Sequence, residues 1–196
     1  MILRTLVLGP IGANCFILGC ESTKEAVIID PGDEAERIKA VVVREKFKVK
    51  ELLLTHAHMD HVGAVGELKR ALGVPIGLHS DDFSLYQQVP LQARLFGLKM
   101  EAPPPIDHSL RDGEVISFGE YVLSVIHTPG HSPGGVCFKV VGGSESLFSG
   151  DTLFCRGIGR TDLWGGDHSQ LIRSIREKLF VLNVNMNLFI LINSIC

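Results

Sequence analysis

Short apolar runs, separated by glycine, proline and polar residues, recur along most of the chain. Runs of this length, bounded by turn residues, predict β-strands. The predicted strands are residues 1–8, 14–18, 26–30, 52–54, 75–78, 114–118, 121–126, 136–141 and 146–148. The first three follow one another through short turns, so they predict a mostly antiparallel sheet.

Apolar residues at helical spacing predict helices between several of these strands. One helix begins near Asp33, a second begins just past His61 and ends at Gly73, and a last one begins near Asp167. The glycine after the second helix is typical of a helix C-terminus, and the aspartate before the last one is typical of an N-terminus. The prediction is therefore a chain of mixed helix and strand content.

A dense group of candidate metal ligands follows the fourth predicted strand. In Thr-His-Ala-His-Met-Asp-His, residues 55–61, three imidazoles and one carboxylate fall within six residues. These are the ligands that zinc takes outside all-thiolate sites. His56 and His58 alternate along an extended backbone, so both rings leave it on the same side, and a bend after His58 would aim Asp60 and His61 at a second point. The segment predicts a metal site.

Two later strands also end in candidate ligands. The strand at 121–126 runs into Thr-Pro-Gly-His, which places His131 after it, and the strand at 146–148 stops at Ser-Gly-Asp, which ends in Asp151. Ligand-bearing loops gathered at one edge of a sheet sandwich are one way in which a rigid scaffold holds a site. Asp30, after the third strand, is either a hydrogen-bonding partner for a metal-bound histidine or a turn-initiating residue.

Length and charge limit the remaining possibilities. The 196 residues suit one compact domain. The formal net charge of −3, with scattered lysines and arginines, gives no electrostatic argument for binding nucleic acid or an anionic membrane. The N-terminal apolar run is too short for a signal peptide, so the cytoplasm is the expected location, with import into a mitochondrion left open.

Taken together, these motifs resemble those of the metallo-β-lactamase-fold hydrolases, and most closely the short glyoxalase II-like, or hydroxyacylglutathione hydrolase-like, branch. The resemblance rests on the histidine motifs above, on Gly-Asp-Thr-Leu-Phe at residues 150–154 and on Gly-Ile-Gly-Arg-Thr-Asp at residues 157–162. It implies an α/β fold over residues 1–180, a four-layer αββα sandwich of mixed sheets flanked by helices.

The resemblance also implies a site for up to two metal ions. The implied ligands are His56, His58 and His131 for one ion, Asp60 and His61 for the other, and Asp151 as a bridge between them. Zinc is the expected metal, and iron or manganese are alternatives. Asp60 and Asp151 are also the expected catalytic residues.

The end of the chain departs from the family pattern. Family members complete the second metal position with a histidine in a loop after one more strand, whereas no histidine follows His168 here. Residues 181–196 are apolar and rich in asparagine, and they are expected to form an atypical tail that replaces that strand and loop. Such an end suggests a shifted reading frame or an alternative terminus, and it predicts weaker binding of the second ion.

The expected reaction is hydrolysis of a thioester. A divalent ion held by histidines lowers the pKa of its bound water from near 16 to roughly 7, which supplies hydroxide to attack a carbonyl. A thiolate leaves without a strong general acid, so a thioester suits the site. The resemblance points to a small glutathione-type thioester such as S-lactoylglutathione. Arg160 would either bind a carboxylate of the substrate or form a structural salt bridge with Asp162.

Two other hypotheses stay open. In persulfide dioxygenases, which share the fold, one iron is held by two histidines and an aspartate, and His56, His131 and Asp151 match those roles. The second alternative is a truncated copy with impaired activity, because its final strand and loop are replaced. Hydrolysis of β-lactams and cleavage of RNA are less favoured, and the sequence does not indicate an oligomeric state.

Overall fold

The chain folds into four layers in the order helices, sheet, sheet, helix. The computed structural model describes residues 1–142, 146–182 and 187–189. Three groups of buried apolar side chains lie between the layers. The four-layer αββα sandwich of mixed sheets flanked by helices, which the resemblance implied, is therefore confirmed.

The first sheet of the described chain has six strands. In the order in which they pair, they are β1 (Ile2–Leu8), β2 (Ala13–Gly19), β3 (Glu25–Ile29), β4 (Lys48–Leu53), β5 (Ile76–His79) and β6 (His108–Leu110). The first three strands pair antiparallel, as predicted, and β3 to β6 pair parallel. Parallel pairing brings the carboxyl ends of β3, β4 and β5 to one edge, where binding sites of such sheets form.

The second sheet begins with β7 (Val115–Phe118), β8 (Tyr121–His127), β9 (Val136–Val141) and β10 (Ser146–Phe148), which pair antiparallel in that order. A small antiparallel ribbon follows, formed by β11 (Leu153–Phe154) and β12 (Gly157–Ile158). β13 (Asn187–Phe189) pairs with β10 in parallel. Residues 183–186 and 190–196 of the predicted tail lie outside the described residues, so the tail stays a prediction.

Helices cover the outer faces of both sheets. They are α1 (Ala35–Glu45), α2 (Met59–Val62), α3 (Val65–Leu72), α4 (Phe83–Gln87) and α5 (Val89–Leu95) against the first sheet, and α6 (His168–Ser174), continued by a π-helical turn at Ile175–Leu179, against the second. Asp167 caps α6 by accepting a hydrogen bond from the amide of Gln170. No helix among the described residues has both the length and the apolar character that a membrane span requires.

The helix that was predicted to begin just past His61 begins earlier. His58 is still extended, and α2 starts at Met59, so that Asp60 and His61 lie on this short helix rather than in the loop before it. α2 ends at Val62 and α3 follows as a separate helix. Gly63 stands between them, where a side chain would overlap the backbone of the segment after β3. The close approach of these two backbones therefore requires a glycine at this position.

Alternation along the strands distributes the apolar side chains between the layers. In β2, Cys15 and Ile17 face the helices, whereas Phe16 and Leu18 face the second sheet. Successive side chains of a strand point to opposite faces, so a strand between two apolar layers is apolar on both. The central strands therefore appear in the sequence as continuous apolar runs.

Candidate metal centre

His56 leaves the end of β4 in a fixed orientation. Asp30 accepts two hydrogen bonds from Thr55, one from the backbone amide at 2.7 Å and one from the hydroxyl at 2.6 Å. The Thr55 hydroxyl lies 3.0 Å from Nδ1 of His56, and because its only hydrogen goes to Asp30, it accepts the Nδ1 hydrogen of His56. The other ring nitrogen, Nε2, is therefore the one with a free lone pair.

Three histidines converge on one point, and we call His56, His58 and His131 the histidine cluster. Nε2 of His131 lies 2.8 Å from Nδ1 of His58 and 3.2 Å from Nε2 of His56. Nδ1 of His131 donates to the backbone carbonyl of Arg160 at 2.7 Å, which leaves its Nε2 free to accept. The ligand atoms of the cluster all lie within 4.8 Å of one another. Such an arrangement could hold a metal ion through three nitrogens.

Asp151 faces both halves of the site. Its Oδ2 lies 3.4 Å from Nε2 of His131, and its Oδ1 lies 3.6 Å from Nε2 of His61. Asp60 is on the far side of His61, with Oδ2 3.7 Å from Nε2 of that ring. Nδ1 of His61 points instead to Asp30, at 2.9 Å. The structure thus brings together all six residues that the sequence predicted as ligands, with Asp151 between two groups of donors.

Burial keeps the histidine cluster neutral. It lowers the pKa of His56 and of His58 well below the ordinary value, and the neighbouring imidazoles act in the same direction. Burial also lowers the pKa of His131, to about 4. A metal ligand has to be deprotonated, so these three rings are ready to bind an ion at neutral pH.

The second group of donors carries excess negative charge. Burial lowers the pKa of His61, but the carboxylates of Asp30, Asp60 and Asp151 outweigh this effect and raise the pKa to about 10. Burial raises the pKa of Asp151 to about 7, with His61 opposing the shift. Three carboxylates around one buried imidazole stabilise a positive charge at this position.

The residues fit a divalent metal. Nε2 of His61 and Oδ1 of Asp151 are buried and have no hydrogen-bond partner among the described residues. Buried polar atoms are rarely left without partners, and an ion is one explanation for those that are. Imidazole nitrogens with carboxylate oxygens are the donor set of zinc, and also of iron and manganese.

Two buried polar residues that sequence reasoning missed hold the loops of the site. Oδ2 of Asp82 accepts hydrogen bonds from the amide of Ala57 at 3.0 Å and the hydroxyl of Ser132 at 2.8 Å, and Oδ1 accepts from the amide of Gly134 at 2.6 Å. One carboxylate thus joins the loops that carry His58 and His131.

Gln92, on α5, is the second missed residue. Its side-chain oxygen accepts from the amide of Met59 at 3.0 Å, and its side-chain nitrogen donates to the carbonyls of Ala57 and Leu85. The amide group therefore fixes the backbone on both sides of His58. Its sequence context carries no signal of this role.

An open cleft of about 180 Å³ leads to the site. It is lined by Ile11, His58, Met59, Asp60, Gln92, Phe96, His131, Asp151, Arg160, Leu163 and Trp164. Arg160 lies at this cleft and also pairs with Asp162 through two hydrogen bonds, of 2.8 and 2.7 Å. Both interpretations of Arg160 are therefore compatible with its position.

The fold and the donor set define a metal-binding αββα protein. The family model of the metallo-beta-lactamase superfamily matches residues 8–185. The chain belongs to this superfamily, as the resemblance indicated.

Several proteins that are similar to this chain in sequence are named as enzymes. The hydroxyacylglutathione hydrolase GloC of Haemophilus influenzae is 42% identical over 177 residues, which are 87% of this chain and 80% of that protein. The probable metallo-hydrolase YqgX of Bacillus subtilis is 37% identical over 181 residues, 91% of this chain and 84% of that protein. The mitochondrial persulfide dioxygenase ETHE1 of Bos taurus is 34% identical over 171 residues, 87% of this chain and 59% of that protein.

Two solved structures are similar over nearly the whole chain. BLEG-1, a B3 metallo-beta-lactamase, has a TM-score of 0.91 and 37% identity, and the match covers 100% of this chain and 93% of that one. TTHA1623, solved in a di-iron-bound form, has a TM-score of 0.89 and 38% identity, with 97% and 92% covered.

Proposed function

We propose that the protein is a metal-dependent hydrolase of small thioesters of the glutathione type, such as S-lactoylglutathione. The observation that carries this proposal is the convergence of the histidine cluster and Asp151 at the end of an open cleft. The similarity to the hydroxyacylglutathione hydrolase GloC supports the choice of substrate class.

The residues of the site would hold two ions. The histidine cluster would hold the first, Asp60 and His61 would hold the second, and Asp151 would be shared. When bound, a divalent ion there supplies Lewis acidity and a water molecule of lowered pKa, which is the chemistry of metal-assisted hydrolysis. Among the described residues the second position has fewer donors, so we expect the second ion to bind more weakly.

The protein itself supplies orientation. The Thr55 hydroxyl, itself bound to Asp30, and the Arg160 carbonyl accept hydrogen bonds from the ring nitrogens of His56 and His131 that face away from the centre. Such outer hydrogen bonds hold ligands in position and increase their basicity. Arg160 places a cation at the mouth of the cleft, where a carboxylate of the substrate can compete with Asp162 for it.

The cleft favours a leaving group that needs no proton. Apart from the proposed ligands, its described polar side chains are Gln92 and Arg160, and neither is an acid at neutral pH. A thiol has a pKa of about 8.5, so a thiolate leaves far more readily than an alkoxide or an amide nitrogen. Thioester hydrolysis is therefore the reaction that this set of side chains supports best.

The test combines metal content with turnover. His58→Ala removes one ligand of the first position, and we expect it to lose bound zinc and to hydrolyse S-lactoylglutathione roughly 100-fold or more slowly than the wild type. His168→Ala, which replaces an exposed histidine outside the candidate site, is the matched control. It should change neither the zinc content nor the rate of hydrolysis. Full-rate hydrolysis by His58→Ala would show that the assignment is wrong.

A second candidate is an iron-dependent persulfide dioxygenase. It is favoured by the similarity to ETHE1 and by the short distances from His131 to His56 and Asp151, 3.2 and 3.4 Å, which suit a two-histidine, one-carboxylate iron position. Iron in the purified protein and oxygen uptake with glutathione persulfide would support it. Soluble protein with neither thioesterase nor dioxygenase activity would instead support an impaired copy. Hydrolysis of a panel of β-lactams would test for the activity that the name of BLEG-1 gives.

A further inference from the structure

Large, partly exposed apolar side chains line the cleft. Ile11, Phe96 and Trp164 expose 46%, 55% and 45% of their surface, and all three line the cleft that contains His58 and Asp151. They come from three segments, which are the turn between β1 and β2, the end of α5 and the loop before α6. Exposed apolar surface that gathers at one cleft usually marks a binding site.

The position of Phe96 is tied to the metal centre through α5. Gln92 holds the backbone on both sides of His58, by hydrogen bonds to Met59 and Ala57. Phe96 follows directly after α5, and its backbone amide donates to the carbonyl of Ala93 at 3.1 Å. The backbone of Phe96 is therefore attached to the helix that contacts the segment around His58.

The loop that carries Trp164 is also fixed at both of its ends. Before Trp164, the carbonyl of Arg160 accepts a hydrogen bond from His131. After it, the amide of Asp167 donates to the carbonyl of Gly130 at 2.8 Å. The backbone on both sides of Trp164 is thus held in place before a ligand binds, which lowers the ordering cost of binding.

The size of the cleft restricts what it can enclose. The cleft has a volume of about 180 Å³. Clefts that enclose a whole drug-sized molecule measure roughly 300–1,000 Å³. This cleft therefore encloses one part of a thioester, and in a glutathione-type thioester the acyl group is the smaller part. The larger thiol part has to extend into the solvent.

We propose that Ile11, Phe96 and Trp164, here called the apolar rim, bind an apolar acyl group. The preferred substrates are then thioesters of short and medium-chain fatty acids rather than of lactate. The inference rests on the proposed function, because it specifies the substrate class for the same site. In the reaction, water adds to the acyl carbon, the carbon–sulfur bond breaks, and a carboxylic acid and a thiol are released.

A chain-length series of substrates tests the preference. The acetyl, lactoyl, butyryl and hexanoyl thioesters of N-acetylcysteamine share one neutral thiol, and a thiol-reactive dye reports their hydrolysis by the metal-loaded protein. We expect kcat/KM to rise about threefold for each methylene from acetyl to hexanoyl, because each methylene leaves water for an apolar surface. The change should appear in KM, with kcat nearly constant.

Variants of the rim test which side chains are responsible. Phe96→Ala should lower kcat/KM for the hexanoyl substrate about tenfold and for the acetyl substrate less than about twofold. Leu95→Ala is the matched control, because Leu95 is 63% exposed and adjacent in sequence but does not line the cleft. It should leave kcat/KM for both substrates unchanged within about twofold.

Binding can be measured without turnover. Trp164 is the only tryptophan in the chain, so intrinsic fluorescence reports directly on the apolar rim. S-hexyl- and S-methyl-N-acetylcysteamine are thioethers that cannot be hydrolysed. We expect the hexyl compound to bind at least about tenfold more tightly than the methyl compound, and Phe96→Ala to remove most of that difference.

The outcomes separate the inference from the proposed function. Hydrolysis of lactoyl and hexanoyl thioesters at equal kcat/KM would overturn the role of the apolar rim and leave the thioesterase in place. Selective binding of the hexyl thioether without hydrolysis of any thioester would reject the proposed function and retain the rim as an apolar binding site. Equal affinity for the two thioethers would by itself overturn the proposed role of the apolar rim.

Discussion

Asp82 connects the two loops that supply the histidine cluster, although it cannot reach the metal position itself. Burial raises its pKa, and hydrogen bonds from Gly134, Ser132 and Ala57 oppose that shift. In Asp82→Asn, one of the two acceptor oxygens becomes an NH2 group, which faces a donor instead of accepting from it. We expect the free energy of unfolding of the metal-free protein to fall by about 3 kcal/mol. Metal affinity should fall by roughly 10–100-fold.

Urea denaturation and competition with a chromophoric chelator measure these two effects. Asp81→Asn is the matched control, because Asp81 is the preceding residue and its side chain is 54% exposed. Its denaturation midpoint should equal that of the wild type. Equal losses in both variants would contradict the role of Asp82.

Asp81 and Asp82 show what the sequence can and cannot predict for single residues. The convergence of the candidate ligands was predictable, since histidines and aspartates placed so densely after strands have few other uses. Asp82 was not, because adjacent aspartates look identical in sequence and only the fold decides which one is buried. Gln92 was missed for a similar reason. Asp30 was left between two roles, and its contact with His61 favours a partner of a metal ligand.

At the scale of elements, the ribbon of β11 and β12 packs against the backbone that presents Asp151. A side chain at Gly159, directly after β12, would overlap the carbonyl oxygen of Asp151 and approach His131. Gly159→Ala therefore has to displace either the ribbon or Asp151. We expect a loss of stability of about 1–3 kcal/mol, measured by urea denaturation, together with weaker metal binding.

Gly157→Ala is the control for this variant. Gly157 begins the same strand, and a side chain there would meet no other atom within 4 Å. It should keep wild-type stability and metal affinity. A Gly159→Ala protein that also kept both would show that the ribbon does not position Asp151.

The strands that were missed are very short, although β10, also of three residues, was predicted as an apolar run before Ser-Gly-Asp. Strands of five to seven residues, such as β2 and β3, show their apolar pattern directly. β6, β11 and β12 have only two or three residues, which is too short for any periodicity to appear. The start of α2 was misplaced because the histidine motif itself forms its first turn, and ligand chemistry masks helical spacing there.

At the scale of the whole molecule, the two sheets meet at the candidate metal centre. His56 and His58 follow β4 of the first sheet, whereas His131 and Asp151 follow β8 and β10 of the second. The pairing of distant strands into two facing sheets came from the resemblance, since local sequence patterns do not encode long-range partners. An ion at this position would link the two sheets by ligands from both.

That linkage predicts that metal removal lowers the melting temperature. An ion at 1,000 times its dissociation constant stabilises the native state by about 4 kcal/mol. For a domain of this size, 1 kcal/mol corresponds to roughly 2–4 °C, so chelation should lower the melting temperature by about 10 °C. Scanning calorimetry at a series of buffered free zinc concentrations measures the effect.

The same series distinguishes the two metal positions. Because binding of the first ion uses three neutral imidazoles, we expect a first rise in melting temperature at low free zinc, and His58→Ala should abolish it. A second, smaller rise at higher zinc is expected from the weaker position at His61, and His61→Ala should remove it alone. A melting temperature independent of zinc would contradict a linking ion. Two rises at the same concentration would contradict unequal positions.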